Sequence, residues 1–234
     1  MRVFAISDLH LSLAEDKPMD IFDPIWENYM VQIRENWNKT VGNDDLVLVP
    51  GDISWATYIE KSVPDFLYLE SLPGRKIISK GNHDYWWTTH SKLNKFKDSM
   101  SLSSISFLHN NAFIYGSVAI AGARGWKNPE EEDFTTEDEK IYNRELERLK
   151  ISLKQTDGFS GTRIVMLHYP PFSAAGRPTG FIDIMKNFGV NICIYGHLHG
   201  KSSNYAVEGL IDGIRYYLVA ADYIKFQPIC LGEW

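Results

Sequence analysis

Short apolar runs alternate with polar turns and helical stretches along this chain, and the alternation repeats. The first run, Met1-Arg2-Val3-Phe4-Ala5-Ile6, reads as a strand running into a polar turn. Asp23-Pro24 then has the form of an N-cap followed by proline at the first helical position. Trp26, Met30, Ile33 and Trp37 recur at helical spacing after it and predict a helix to about Lys39. Residues 46–49 end in Pro50-Gly51-Asp52, and residues 76–79 in Lys80-Gly81-Asn82-His83-Asp84. Residues 163–167 end in His168-Tyr169-Pro170-Pro171, and residues 191–195 in Gly196-His197-Leu198-His199. Continuous apolar runs of this length suit strands buried on both faces and covered by helices.

Other stretches predict further β-structure, some of it antiparallel. Asn110-Asn111 lies between the apolar residues 105–108 and 112–115 and reads as a hairpin turn. Residues 214–219 and 226–231 also read as β-structure. Residues 127–138 are strongly acidic and loop-like, which suits a solvated surface; a lid over a functional site is the sharper alternative. A helix over about residues 137–155 should follow, with Ile141, Leu146, Leu149 and Leu153 on its apolar face.

Composition changes the picture mainly by exclusion. A chain of 234 residues with 44% hydrophobic and 23% charged residues fits one domain over residues 1–234. Its net charge of −6 argues against general nucleic-acid or anionic-membrane binding. No stretch approaches a membrane span and no secretory signal is visible. Cys193 and Cys230 lack CxxC spacing and read as free, buried thiols in a reducing compartment. The expected location is the cytoplasm.

The candidate chemistry sits at the strand ends. Asp8 and His10 follow the first run, Asp52 the second, Asn82 and His83 the third, His168 a later one, and His197 and His199 the last parallel one. In a parallel sheet those carboxyl ends share one edge, where open α/β folds bind ligands. His90 and His109 fall outside the pattern and read as ordinary surface or core histidines. Carboxylate, imidazole and amide donors without thiolate suit Mn, Fe or Zn.

The series Asp8-Leu9-His10, Gly51-Asp52, Gly81-Asn82-His83-Asp84, His168 and Gly196-His197-Leu198-His199 resembles the calcineurin-like metallophosphoesterase superfamily. The resemblance spans nearly the whole chain. It implies an α/β fold, a four-layer α/β/β/α sandwich of two mixed β-sheets. By the same resemblance, one divalent ion is held by Asp8, His10, Asp52 and His199, and a second by Asp52, Asn82, His168 and His197. Asp52 then bridges them, and His83 stands beside the substrate phosphate as a proton donor or phosphate-oxygen donor. The activity implied is hydrolysis of a phosphomono- or phosphodiester by direct attack of a metal-bridging hydroxide, on a small-molecule or nucleotide substrate. A metal-binding scaffold of the same fold without turnover is the alternative.

One position departs from the pattern. Some branches of the family carry an Asp three residues after the bridging Asp, to orient the catalytic His. Trp55 stands there in this chain, which speaks against the eukaryotic-type protein Ser/Thr phosphatase branch and leaves Asp84 as a possible substitute. Arg124 and Arg177 are candidates for contacting substrate phosphate, because guanidinium suits bidentate contact. Tyr85, Trp86 and Trp87 read either as a stacking surface for a nucleobase or as packing under the His83 loop.

Overall fold

The computed structural model describes residues 1–234. In chain order its elements are β1 (Arg2–Ala5), α1 (Tyr29–Thr40), β2 (Leu46–Pro50), α2 (Val63–Glu70), β3 (Arg75–Ser79), α3 (His90–Ser99), β4 (Ile105–Phe107), β5 (Phe113–Tyr115) and β6 (Val118–Gly122). They continue with α4 (Thr136–Lys154), β7 (Thr162–Met166), α5 (Gly180–Asn187), β8 (Ile192–Tyr195), β9 (Gly209–Ile211), β10 (Ile214–Leu218) and β11 (Ile229–Glu233).

The strands form two mixed sheets, ordered β11-β1-β2-β3-β4 and β5-β6-β7-β8-β10-β9. Within each sheet the central pairings are parallel, and β11, β5 and β9 pair antiparallel at the edges. The period of two along the strands separates three apolar layers. Val3, Ala5, Leu46, Leu48, Ile120, Ile164, Met166 and Ile194 meet between the sheets. Phe4, Val47 and Val49 face the other way, onto Ile33, Trp37, Phe66 and Leu93 of the helices over the first sheet. Ala121, Val165, Cys193 and Tyr195 face Leu149, Phe181 and Met185 over the second. The expected four-layer α/β/β/α sandwich is therefore the observed fold.

The two sheets are stitched together where their parallel strands end. Ser7 N–H donates to Val219 O at 2.8 Å, and Ala221 N–H returns to Ser7 O at 3.0 Å. Just beyond this seam, Asp8 N–H donates to Gly51 O at 3.0 Å and Gly196 N–H to His168 O at 3.1 Å. The seam brings the loops after β1, β2, β3, β7 and β8 to one edge.

Three local expectations are corrected. The stretch from Asp23 to Lys39 is not one helix. Asp23 caps a 3₁₀ turn, Pro24–Trp26, Asn28 then adopts φ 55°, and α1 starts at Tyr29. A residue in the left-handed region cannot carry a helix through, and asparagine tolerates that conformation. Asn110-Asn111 is not a hairpin turn. β4 belongs to the first sheet and β5 to the second, so this pair is the crossing between sheets. The hairpin lies one strand later, where Gly116 at φ 56° turns β5 into β6. Cys230 is exposed on the edge strand β11, whereas Cys193 is buried as expected. α4 begins at a capping box in which Thr135 and Asp138 each accept the other's backbone N–H.

Candidate metal centre

Each candidate ligand sits in the first residues past a strand, and the backbone there is strained. Asp8, His10, Asp52 and His197 all have positive φ, between 45° and 72°. Left-handed conformations of non-glycine residues cost about 1–3 kcal/mol each and gather at functional sites. The turns also need glycine for close approach. A Cβ on Gly81 would fall on Asp52 Oδ1 and its amide, and one on Gly196 would fall on Asp8 Oδ2 and Ser7 Oγ. The Gly-Asp, Gly-Asn-His and Gly-His strings thus have a steric cause: the loops touch.

The donor atoms converge. Single ligand atoms of Asp8, His10 and His199 lie within 4.8 Å of one another, and so do those of Asp8, Asp52 and His168. Asp52 Oδ2 lies 3.8 Å from His10 Nε2 and 3.5 Å from His168 Nε2, between the two groups. Asn82 Oδ1 faces His168 Nε2 at 2.6 Å and His197 Nδ1 at 2.9 Å. Asp8, His10, Asp52 and His168 are buried.

Burial is the largest influence on the charges of these groups. Burial, reinforced by Asp8, pushes the Asp52 carboxyl well above the usual range. Burial acts the same way on Asp8, but His199, His168 and His10 more than offset it and hold that carboxyl low. Burial lowers His10 and His168, and with help from His168 it takes His197 down to about 3. Neutral imidazole is the form that binds a metal.

The tautomers follow from the partners. His168 Nδ1 lies 3.1 Å from Pro50 O, which requires its proton there and leaves a lone pair on Nε2. That lone pair faces the Asn82 carbonyl oxygen. Two acceptors at such a distance repel unless a cation lies between them, so the donor set fits divalent ions.

The sequence pattern of the calcineurin-like phosphoesterase family matches residues 1–201. The chain belongs to that family. Its fold is similar to that of phosphopantetheinyl hydrolase (PptH) from Mycobacterium tuberculosis, with a TM-score of 0.61 and 13% identity, covering 99% of this chain and 96% of that one. AQ665 from Aquifex aeolicus, a protein of unknown function, gives a TM-score of 0.52 at 15% identity, over 98% and 95% of the two chains. TT1561 of Thermus thermophilus gives 0.52 at 13% identity, over 85% and 82%. At these identities the likeness shows the fold. No curated protein matches in sequence. No helix is long and apolar enough to cross a membrane.

Around the ligand candidates of this family member, other residues take defined places. His83 is partly exposed, and its Nδ1 is enclosed without a hydrogen-bond partner. Burial, then His168, lowers its pKa. Trp55 packs on it at 4.5 Å between ring centroids and stacks on His10 at 4.8 Å, so an indole occupies the place where other branches carry an acid. Asp84 does not substitute for that acid. Fully buried, it accepts N–H groups from Gly81, Asp52, Ile53 and Ser54 and from the Trp86 indole, tying the second and third loops together. Trp86 is buried packing, while Tyr85 is exposed with its ring 6.3 Å from that of His83.

The two arginines differ. Arg124 is mostly buried, lies 4.3 Å over the Trp126 ring and faces Glu145 at 3.6 Å. Its carbonyl accepts the N–H groups of His168 and Tyr169, so its backbone borders the centre. Arg177 is exposed and engaged with Glu130 at 2.8 Å. Glu130 belongs to the acidic stretch, which is held down by further bonds from Lys127 to Asp133 and from Trp126 to Asp138. Asn128 and Glu131 of this stretch line a small cavity of about 220 Å³ that reaches His197. The acidic residues are thus surface for the most part and wall at one point.

Asp222 was not legible in the sequence. It follows the end of β10, is buried, and its Oδ1 accepts from His199 Nδ1 at 2.8 Å. Its position past a parallel strand was the signal available. Trp26 closes the same side, 5.7 Å from the His199 ring and 5.9 Å from that of His10.

Proposed function

We propose that this chain is a metal-dependent phosphoric ester hydrolase that works with two divalent ions. Asp8, His10, Asp52 and His199 would hold one ion and Asp52, Asn82, His168 and His197 the other. Such ions would supply Lewis acidity toward a phosphate oxygen and an acidified water as nucleophile. The observation that carries the reading is Asn82 Oδ1, set between the nitrogens of His168 and His197 at hydrogen-bond distance, with Asp52 between both ligand groups.

The chain's own residues divide the remaining work. Asp222 holds His199 with Nε2 toward Asp8. Asp84 fixes the Asp52 and Gly81 loops relative to each other. His83, its pKa lowered by burial, donates to a phosphate oxygen or to the leaving oxygen, and Trp55 orients its ring by packing. Arg124 is the guanidinium on the substrate side, since its carbonyl accepts the N–H groups of His168 and Tyr169, whereas Arg177 is exposed and held by Glu130. The filled His83 position favours turnover over a scaffold role.

The test is hydrolysis of bis-p-nitrophenyl phosphate and p-nitrophenyl phosphate by the Mn²⁺-loaded chain. Release of nitrophenol that is abolished by Asp52→Asn supports the reading. Ion binding without hydrolysis of either ester contradicts it and leaves the scaffold.

A further inference from the structure

A second cleft of about 450 Å³ opens next to the candidate metal centre, on the side of β3 and β6. It is lined by Lys80, Arg124, Arg148, Glu145, His90 and His109, among others. Three basic side chains against one carboxylate make this a positive spot on a chain whose net charge is −6. The charges are held in place. Glu145 is buried and binds Arg148 Nη1 at 2.6 Å through Oε1, with Arg124 Nη2 at 3.6 Å from the same oxygen. Arg124 keeps an enclosed Nε–H without an acceptor. The Trp87 indole N–H donates to His109 Nδ1 at 3.2 Å, so neutral His109 carries its own proton on Nε2, as a donor.

The cleft is continuous with the centre through the backbone. Lys80 stands two residues before Asn82, a Cα separation of at most roughly 7 Å. Arg124 O accepts from His168 N at 2.9 Å. The cleft thus borders the centre through Lys80 and Arg124, at the ends of β3 and β6. Donors outnumber acceptors in the cleft, and two of the cations are guanidinium groups, the side chain suited to forked contact with phosphate.

Resting on the phosphoesterase reading, we infer that this cleft receives a second phosphate group of the substrate, so that the preferred substrates carry at least two phosphates, one cleaved and one only bound. Lys80, Arg124 and Arg148 hold the uncleaved group, and His109 donates to it. Glu145 keeps the guanidinium groups oriented and limits the charge, so that product can leave. A substrate with a single phosphate leaves the cleft to water and gains nothing from it.

The test compares adenosine 3′,5′-bisphosphate with adenosine 5′-monophosphate on the metal-loaded full chain, by calorimetric binding and by kcat/KM. Binding of the bisphosphate at least 10-fold tighter than the monophosphate is expected in the wild type. That gap should shrink to about 2-fold in Arg148→Gln and be largely kept in Arg148→Lys. Equal binding of the two nucleotides by the wild type, or a full gap surviving in Arg148→Gln, overturns the inference. Failure of the phosphoesterase reading shows separately, as absence of bis-p-nitrophenyl phosphate hydrolysis with the binding gap intact.

Discussion

His199 donates from Nδ1 to the carboxylate of Asp222 at 2.8 Å, and this contact leaves its Nε2 facing Asp8 Oδ1 at 3.2 Å. Burial alone would lower the pKa of His199, but Asp8 and Asp222 together raise it to about 10. A carboxylate behind a ligating imidazole sets the tautomer and raises its basicity. Asp222→Ala is therefore expected to weaken divalent-ion binding by roughly 10–100-fold without unfolding the chain. Titration with Mn²⁺, alongside a circular dichroism spectrum, checks it; unchanged affinity would remove Asp222 from the centre.

No hydrogen bond from the His83 ring ties the loops together, its Nδ1 having no partner, and the bond from its backbone N–H to Asp52 Oδ1 at 2.8 Å survives a change of side chain. His83→Ala should keep both ions and lose roughly 10²–10⁴ in kcat, the range for removing a positioned proton donor. Ion stoichiometry and turnover of bis-p-nitrophenyl phosphate are measured on the same sample. Wild-type kcat in that variant would exclude the role.

Much of this arrangement was legible because the candidate ligands lie at strand ends, and those strands are unbroken apolar runs. Residues 46–49 and 192–195 are buried on both faces, so their period could not be mistaken for a surface helix. Asp222 escaped because nothing but its place after β10 marks it, and the preceding run was read only as β-structure of unknown pairing. The hairpin was misplaced because Asn110 does adopt φ 65°, the conformation of a tight turn, yet the strands on either side join different sheets. Local turn chemistry does not reveal which sheet a strand enters. The break at Asn28 was hidden for the related reason that Trp26 and Met30 keep helical spacing across it.

Gly196 lies against Asp8 and Ser7 so closely that any Cβ must displace both side chains. Gly196→Ala should cost about 1–3 kcal/mol, a fall in Tm of roughly 2–10 °C for a chain of this size. It should also weaken ion binding, since one displaced group is the Asp8 carboxylate. Thermal unfolding with and without Mn²⁺ separates the two effects; a variant with wild-type Tm and affinity would refute the close-approach account.

Lys76 is fully buried, with Nζ donating to Leu72 O and Ser104 Oγ. Burial pushes its ammonium down to about 8, against the pull of Glu70. Between that value and the ordinary lysine value, the unfolded chain keeps a proton that the folded one has released, so this group makes stability rise with pH. Cys193, Tyr29 and Tyr68, all raised by burial, act in the opposite sense at the alkaline end. The prediction is therefore a difference: from about pH 8 to about pH 9.5, wild-type stability should gain relative to Lys76→Met. Urea unfolding at both values measures it, and parallel pH profiles for the two proteins would contradict it.

Ion stoichiometry tests the central claim most directly. Purified chain, stripped and then dialysed against Mn²⁺, should hold two ions per molecule by elemental analysis, and Asp52→Asn should hold fewer because the shared carboxylate is lost. A wild-type chain that binds one ion or none under saturating Mn²⁺ would contradict the paired centre.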